Sequence, residues 1–458
     1  MRVAKNEIGT SSRTIPELKF EDQEMTSFGG LVVFQKLFQA QDVQGHLKES
    51  LQHLDLRMAR FYKYHQVIMC LIVHLVLGYR RIRDMDYYRE DPLVRQVLGL
   101  RHLPSVPTVS RMLAEIDEEG LANMREMNRH LVLSRLLNEG VTRITLDLDG
   151  SVQSTTRHAE ATAVGFNKKK KGARSYYPLF ATIAQTGQVF DFHHRSGNVH
   201  DSNGATEFLR RCVAEIRMVL PQVQIEMRAD SAFFSDEMVT AAKDLGLEYT
   251  FTVPFERLPE LKNRIETRRR WSRTRGGKGK LHHFELHWKP KSWDRKERIL
   301  CVRTRARKQR KGPLQLDLFE PVGEDYEYKA IITNKTNKAA HVVRFHEGRG
   351  SQEKIFGEAK TQAQMDYIPA RKRAANQAYL LASLLTHNLT RELQMNVTPP
   401  ERGLTPGRAA IWIFQGLETI RRKIIQRAGR LTRPQGRLTL TLGTNNPVEN
   451  EIARYMAA

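Results

Sequence analysis

Ile144-Thr145-Leu146-Asp147-Leu148-Asp149-Gly150 is the stretch on which the fold turns. Strict alternation of apolar and polar residues is the period of a β-strand, so Ile144, Leu146 and Leu148 share one face and Asp147 and Asp149 the other, which reads as an exposed face carrying two carboxylates. Upstream, from Leu31 to Leu137, apolar residues recur at helical spacing with breaks at Gly78, Pro92, Pro104 and Pro107, and Gly140 closes the run. The change of period marks the passage from a helical N-terminal region into a sheet.

Downstream, Tyr176 to Ala184 predicts a second strand and Val189 to His193 a third, joined through Gln185-Thr186-Gly187-Gln188 as a hairpin. A helix from about Asn203 to Val219 follows, then a period-2 strand from Val223 that ends on Asp230. A helix from Asp236 to Leu245, capped by Ser235 and stopped by Gly246, leads to a strand over Tyr249 to Val253. Antiparallel strands followed by helix, strand, helix and strand give an α/β fold: a mixed sheet flanked by helices, two of whose strands end in carboxylates, Asp149 and Asp230.

Residues 262 to 311 hold 20 Lys and Arg against four Asp and Glu, so 16 of the net +23 lies within this segment. Strand-like stretches and Trp271, Trp288 and Trp293 within or beside the basic residues predict a folded, β-rich insertion with a groove that tracks phosphates and stacks bases. Between Ala339 and Asn388 the pattern returns to long helix, and a basic helix with Arg421, Arg422, Lys423, Arg427 and Arg430 is expected from about Arg408. The expected division is 1–140 helical, DNA-binding or dimerising; 141–255 first part of the core; 256–340 basic insertion; 341–390 second part of the core; 391–458 helical and basic.

The composition narrows the function. With 458 residues, 74 Lys and Arg and 51 Asp and Glu, the chain can bury several cores and carries a charge suited to a polyanion, nucleic acid ahead of a membrane surface. Cys70, Cys212 and Cys301 lie far apart with no CxxC pair, which excludes a disulfide framework and a cysteine zinc cluster. His193, His194 and His200, and His282, His283 and His287, have no Cys beside them to complete a zinc set. The longest apolar run, Val67 to Leu77, is too short to span a bilayer and includes His74, and the N-terminus has no apolar signal region, so a cytoplasmic, nucleoid-associated protein is expected. Ser105-Val106-Pro107-Thr108 followed by Ser110 and Arg111 has the cap, first-turn proline and hydroxyl residues of a recognition helix, or of any capped helix in a bundle.

His346, Arg349, Glu353 and Lys360, spaced by three, four and seven residues, fall on one stripe of a helix. On its own such a stripe is accounted for by surface ion pairs worth a few tenths of a kcal/mol. Beside strands ending in Asp149 and Asp230 it means more: three converging carboxylates demand a cation, and hard oxygen donors select Mg²⁺ or Mn²⁺, which activates water or a 3′-hydroxyl in phosphodiester cleavage. Arg349 and Lys360 would then hold the flanking phosphates.

These residues resemble the Asp-Asp-Glu (DDE) insertion-sequence transposases, which have a ribonuclease-H-like core, in the group with a Tyr-x2-Arg-x3-Glu-x6-Lys signature. Here the pattern is His346-x2-Arg349-x3-Glu353-x6-Lys360, with His in place of Tyr. Asp149-Gly150-Ser151 resembles the first catalytic motif, with Asp149 fitting better than Asp147, and Arg228-Ala229-Asp230-Ser231-Ala232-Phe233 the second; Tyr177-Pro178-Leu179 and Arg195-Ser196-Gly197-Asn198 match the hairpin between them. The long gap from Asp230 to Glu353 is similar to members with a β-strand insertion. The resemblance implies a transposase that binds terminal inverted repeats, cleaves the element's ends with Mg²⁺ (Mn²⁺ substituting) and joins them to target DNA as a homodimer by cut and paste. It implies Asp149, Asp230 and Glu353 as catalytic metal ligands, His346, Arg349 and Lys360 as phosphate contacts, and Trp271, Trp288 or Trp293 as a base-flipping wedge. Gln315-Leu316-Asp317-Leu318-Phe319 resembles the peptide that docks on the replication sliding clamp, or reads as a half-buried strand.

Overall fold

Helix follows helix through the first third of the chain. In this computed structural model, β1 (Met25–Thr26) precedes α1 (Leu31–Ala40), α2 (Val43–Arg57), α3 (Tyr64–Leu77), α4 (Pro92–Leu98), α5 (Val106–Ala114) and α6 (Glu118–Asn138). Residues 15–57, 60–165, 167, 170–200, 202–273, 281–305, 326–403 and 410–458 are described, apart from the side chains of 351–353. The clamp-like peptide Gln315–Phe319 lies outside them. Asp91, Ser105 and Asp117 cap α4, α5 and α6 through backbone N–H groups, and Pro92 and Pro107 occupy first turns, where a missing N–H costs nothing. Every residue of α3 except Gln66 is buried, and Gly78 ends it in the left-handed conformation at φ +100°. Among the described residues no helix is long and apolar enough to cross a membrane.

The chain then enters the sheet. β2 (Arg143–Gly150) is followed by β3 (Gln153–Thr155), β4 (Ala163–Val164) and β5 (Arg174–Tyr176), which form a small sheet of their own, and then by β6 (Leu179–Ile183), β7 (Gln188–His193), α7 (Ala205–Val219), β8 (Gln224–Ala229), α8 (Asp236–Asp244) and β9 (Glu248–Val253). The order is β7-β6-β2-β8-β9, antiparallel from β7 to β2 and parallel from β2 to β9, the arrangement of a ribonuclease-H-like core. α9 (Pro259–Glu266), β10 (Ser272–Arg273), β11 (His282–Trp288), β12 (Glu297–Arg305) and β13 (Tyr326–Thr333) come next. β13 pairs antiparallel with β9, so the inserted strands extend the same sheet to nine. The chain ends with α10 (Ala339–Glu347), α11 (Gly350–Gln362), α12 (Arg373–Met395), α13 (Leu417–Ile420) running into a π-turn at Arg421–Ile425, β14 (Gly429–Thr432), β15 (Thr439–Leu442) and α14 (Asn446–Ala457).

Four expectations are corrected. The second strand begins at Leu179, because Arg174–Tyr176 pairs with β3 and the Pro178 carbonyl takes the Ser151 N–H instead. The carboxylate face of β2 is covered: Asp147 has no exposed surface, since the alternating pattern reflects a polar layer under helices, not solvent. The single helix over 339–388 is three helices. The one expected from about Arg408 starts at Leu417 and gives way to a hairpin, β14–β15, because Gly429 and the β-favouring run Leu438-Thr439-Leu440-Thr441-Leu442 suit strands.

α12 lies buried from Ala375 to Met395 and shares one hydrophobic core with α1 to α6, with Phe180 and Phe192 of the sheet and with Phe356 of α11. Two of its buried polar residues bond to the edge strand and to α6: Asn388 accepts the Val189 N–H at 2.8 Å and donates to Asn128 at 2.8 Å, and Glu392 accepts from Gln188 at 2.7 Å and Arg135 at 2.6 Å. The opposite face of the sheet packs Ile144, Leu146 and Leu148 against α7 and α8.

Candidate active site

β2 and β8 run parallel with Asp147 opposite Arg228, and this pair is bonded. Arg228 donates through Nε and Nη2 to both oxygens of Asp147 at 2.7 and 2.6 Å, with both side chains buried. Burial pushes the Asp147 carboxyl up and the two-point guanidinium contact opposes it. Asp149 and Asp230 each stand two residues past this last β2–β8 pair, at the carboxyl ends where parallel strands present ligands to a crevice. Asp149 keeps 23% of its side chain exposed and Asp230 is half-buried, its carboxylate accepting the Ala232 N–H at 2.9 Å. Asp147 is thus withdrawn into a structural pair, and Asp149 is the carboxylate of β2 that reaches the crevice.

What sets α10 and α11 over this crevice is largely the same arginine. Arg228 Nη1 donates to the Phe345 carbonyl at 3.0 Å, and its guanidinium lies 5.2 Å from the Phe345 ring. Gly348 leaves room for it, since a Cβ there would sit 2.3 Å from Arg228 Nη1. Helical dihedrals persist through Gly348 and Arg349, but the Arg349 N–H bonds the His346 carbonyl three residues back, which tightens the junction between the helices. Further along, Phe356 packs 5.3 Å from Phe180, the β6 partner of Asp149. Glu358 takes Arg391 at 2.7 Å, tying α11 to α12. Arg349 approaches Asp149 at 4.0 Å. Glu353 stands in the first turn of α11, one turn before Phe356, and its side chain lies outside the described residues. Lys360, half-buried, stands two turns further.

His346 does not fit a phosphate contact. It is 2% exposed, and its ring lies between the hydroxyls of Thr250 (Nδ1, 3.0 Å) and Thr252 (Nε2, 2.9 Å) of β9. Burial, with Lys329, Arg349 and Arg228 nearby, pushes it down to about 3, so the ring is neutral and fastens α10 to the sheet. The tryptophans also differ from expectation. Trp288 and Trp293 are 5% and 6% exposed, core residues and not free wedges; Trp293 stacks 4.9 Å from Phe234, just after the Asp230 turn. Trp271 is half-buried between Phe284, Tyr328 and the Arg303 guanidinium at 4.6 Å, its Nε1 donating to the Arg268 carbonyl. Beside it a cavity of about 420 Å³ is lined by Arg264, Arg268, Arg269, Arg270 and Phe284.

Among the described residues, a group with metal-ligand spacing, His53, Asp117 and Glu119, lies elsewhere. Asp117 is spent there on capping Gly120 and pairing Arg57 at 2.9 Å, as a helix cap does. Sequence reasoning missed the Asp147–Arg228 pair and the role of Gly348, which only the parallel register brings together; an acid and an arginine on separate polar-alternating strands were the available signal.

A family model described as "Transposase DDE domain group 1" matches residues 10–458. No curated protein matches the sequence. Among solved structures, a piggyBac transposase synaptic complex with hairpin DNA is similar at 11% identity over 94% of this chain and 82% of that chain, with a TM-score of 0.45. A Mos1 transposase paired-end complex with the left transposon end is similar at 10% identity over 42% and 60%, with a TM-score of 0.18.

Proposed function

The chain belongs to the DDE transposases of domain group 1, and we propose from that premise that it cuts and joins the terminal inverted repeats of an insertion sequence through Asp149, Asp230 and Glu353. The observation that supports the reading is the parallel pairing of β2 with β8, past whose last pair, Asp147–Arg228, Asp149 and Asp230 each stand two residues, together with the Arg228 bond to Phe345 of α10, the helix that leads into α11 and Glu353. Asp149 and Asp230 are partly accessible oxygen donors, which fits a divalent ion with hard-ligand preference, Mg²⁺ with Mn²⁺ substituting. When bound, that ion supplies activation of the attacking water or 3′-hydroxyl and charge stabilisation of the leaving oxygen.

The remaining work falls to this chain's cations. Arg349, already within 4.0 Å of Asp149, binds a phosphate flanking the scissile bond as a fork, and Lys360 holds the next as a point charge. The site keeps three of the four members of the Tyr-Arg-Glu-Lys signature in these roles, while His346 at the fourth position fixes the helix. The insertion, tied to the Asp230 turn by the Trp293–Phe234 stack, brings its arginine-lined cavity beside the DNA end. α5, capped by Ser105 and exposing Arg111, supplies a repeat-reading surface, and two copies synapse the ends.

Strand cleavage and joining of a duplex carrying the flanking repeats tests this. Wild type with Mg²⁺ should cut at the repeat tip and yield joined product, and Asp230→Asn should bind the ends and do neither. Wild type that binds the ends yet neither cuts nor joins with Mg²⁺ or Mn²⁺ would leave a DNA-binding regulator as the better reading.

A further inference from the structure

Residues 419–448 contain no acid, and Arg421, Arg422, Lys423, Arg427, Arg430, Arg433 and Arg437 fall within them. Arg421 is buried and spent on carbonyls of α3, at Val76 and Leu75. The others surround the ribbon β14–β15, whose register, Gly429 opposite Leu442 and Thr432 opposite Thr439, leaves Arg433 to Leu438 as its tip. Every residue of that tip is exposed. It turns through Gln435 (φ +52°) and Gly436 (φ +81°), a left-handed pair that projects Arg433 and Arg437 from either side of a Pro434-Gln435-Gly436 apex. Among the described residues neither guanidinium has a hydrogen bond or ion pair, and Leu438 is 44% exposed beside them.

One edge of the ribbon is taken. β1 covers one edge through Met25–Arg430 and Thr26–Gly429 pairing, and Gly29 packs so close to Leu442 and the Arg427 carbonyl that a Cβ would clash. With β14 paired to β1, the ribbon offers its exposed tip ahead of two strands abreast, which a major groove takes. A single reversing backbone with an arginine on each side suits a slot about 6 Å wide, the minor groove, whose narrow A·T segments concentrate negative potential that attracts arginine. The apolar Pro434 and Leu438 suit its walls.

We infer that the Arg433–Leu438 tip enters the minor groove of duplex DNA and prefers A·T-rich sequence, a surface separate from the catalytic crevice; this rests on the transposase reading for its partner. Arg422, Lys423 and Arg430 flank the tip and meet phosphates.

The test uses the full chain in EDTA, so that binding is measured without cutting, with fluorescence anisotropy on three 30-base-pair duplexes: A·T-rich, G·C-rich, and the G·C-rich sequence with inosine replacing guanine. Inosine keeps the major-groove face of guanine and removes its minor-groove amino group. Wild type should bind the A·T and inosine duplexes at least about fivefold tighter than the G·C duplex, and R433A/R437A should lose that preference while its log–log salt slope falls by about 1 to 2. R422A should weaken all three duplexes alike. Equal wild-type affinity for the G·C and inosine duplexes, or a preference that survives in R433A/R437A, overturns the inference while leaving the transposase reading intact; wild type that binds no duplex overturns both. Both tip arginines are exposed, so their loss leaves the fold in place.

Discussion

Replacing Asp147 by Ala isolates the clamp on which the site's geometry depends. The substitution takes the carboxylate away from the Arg228 guanidinium, 7% exposed, and leaves it the Phe345 carbonyl and ring. Breaking one side of a buried ion pair costs about 3–5 kcal/mol. Unfolding of the 458-residue chain as a unit has an entropy of about 1 kcal/mol per kelvin, so the melting temperature should fall by about 3–5 °C. Asp147→Leu with Arg228→Met removes both charges and should recover most of that loss, because an apolar pair of similar volume does not leave a charge unpaired. Recovery of stability should not bring recovery of chemistry, since Arg228→Met removes the Phe345 anchor of α10. A displacement of about 1 Å at the first turn of α11 is enough for about a hundredfold loss in single-turnover cleavage at 25 °C. Differential scanning fluorimetry and cleavage of an end duplex read the two effects separately. If Asp147→Ala melts within 1 °C of wild type and cuts at the wild-type rate, the pair neither holds the fold nor positions the helix, and the reasoning is wrong.

Three further outcomes follow from the same contacts. His346→Gln should leave the salt dependence of DNA binding unchanged, whereas Arg349→Ala lowers its slope by about 1. Because the folded ring sits at about 3 against about 6.5 in the unfolded chain, the folded state binds fewer protons below pH 6.5; its stabilisation is full above that value and is lost as pH falls towards 3, at up to about 1.4 kcal/mol per pH unit. Melting temperature followed from pH 7 to 5 should fall less steeply in His346→Gln. Trp293→Ala removes the stack on Phe234 and should cost about 3–5 kcal/mol in the core; end cleavage should fall further than end binding, and unchanged cleavage would show that the insertion is not coupled to the Asp230 turn. Chelation with EDTA should abolish cutting, leave binding, and be reversed by excess Mg²⁺, with product on a denaturing gel as the readout.

Much of the core could be read from local pattern. β2, β7, β8, β9, α7 and α8 lie within a few residues of where period, caps and glycine stops put them, because each is fixed by neighbours in sequence: Ser235 caps α8 through the Met238 N–H at 3.1 Å, and Gly187 turns the hairpin at φ +60°. Asp149 and Asp230 stand out as candidates for the same reason, since a carboxylate at the end of an apolar-alternating strand is a local feature. The clamp does not. Asp147 and Arg228 are 81 residues apart, and Arg228 and Phe345 117 apart, so nothing near either residue announces the contact. His346 was misread for the same reason: spacing put it on a stripe with Arg349, but Thr250 and Thr252 of β9 decide where its ring goes. Trp288 and Trp293 stand among basic residues in the sequence, and the strands of the insertion together with Phe234 put them in the core.

The sequence by itself determined the periods, the caps, the surplus of positive charge and the order of the acidic motifs, because each is a property of a residue and its near neighbours. Which of two aspartates on one strand faces the crevice was decided only by tertiary structure. Asp147 and Asp149 share a face of β2, and the parallel pairing with β8 put an arginine opposite the first. A buried guanidinium takes the carboxylate it can reach with both nitrogens, while Asp149, two positions on, keeps 23% of its side chain exposed.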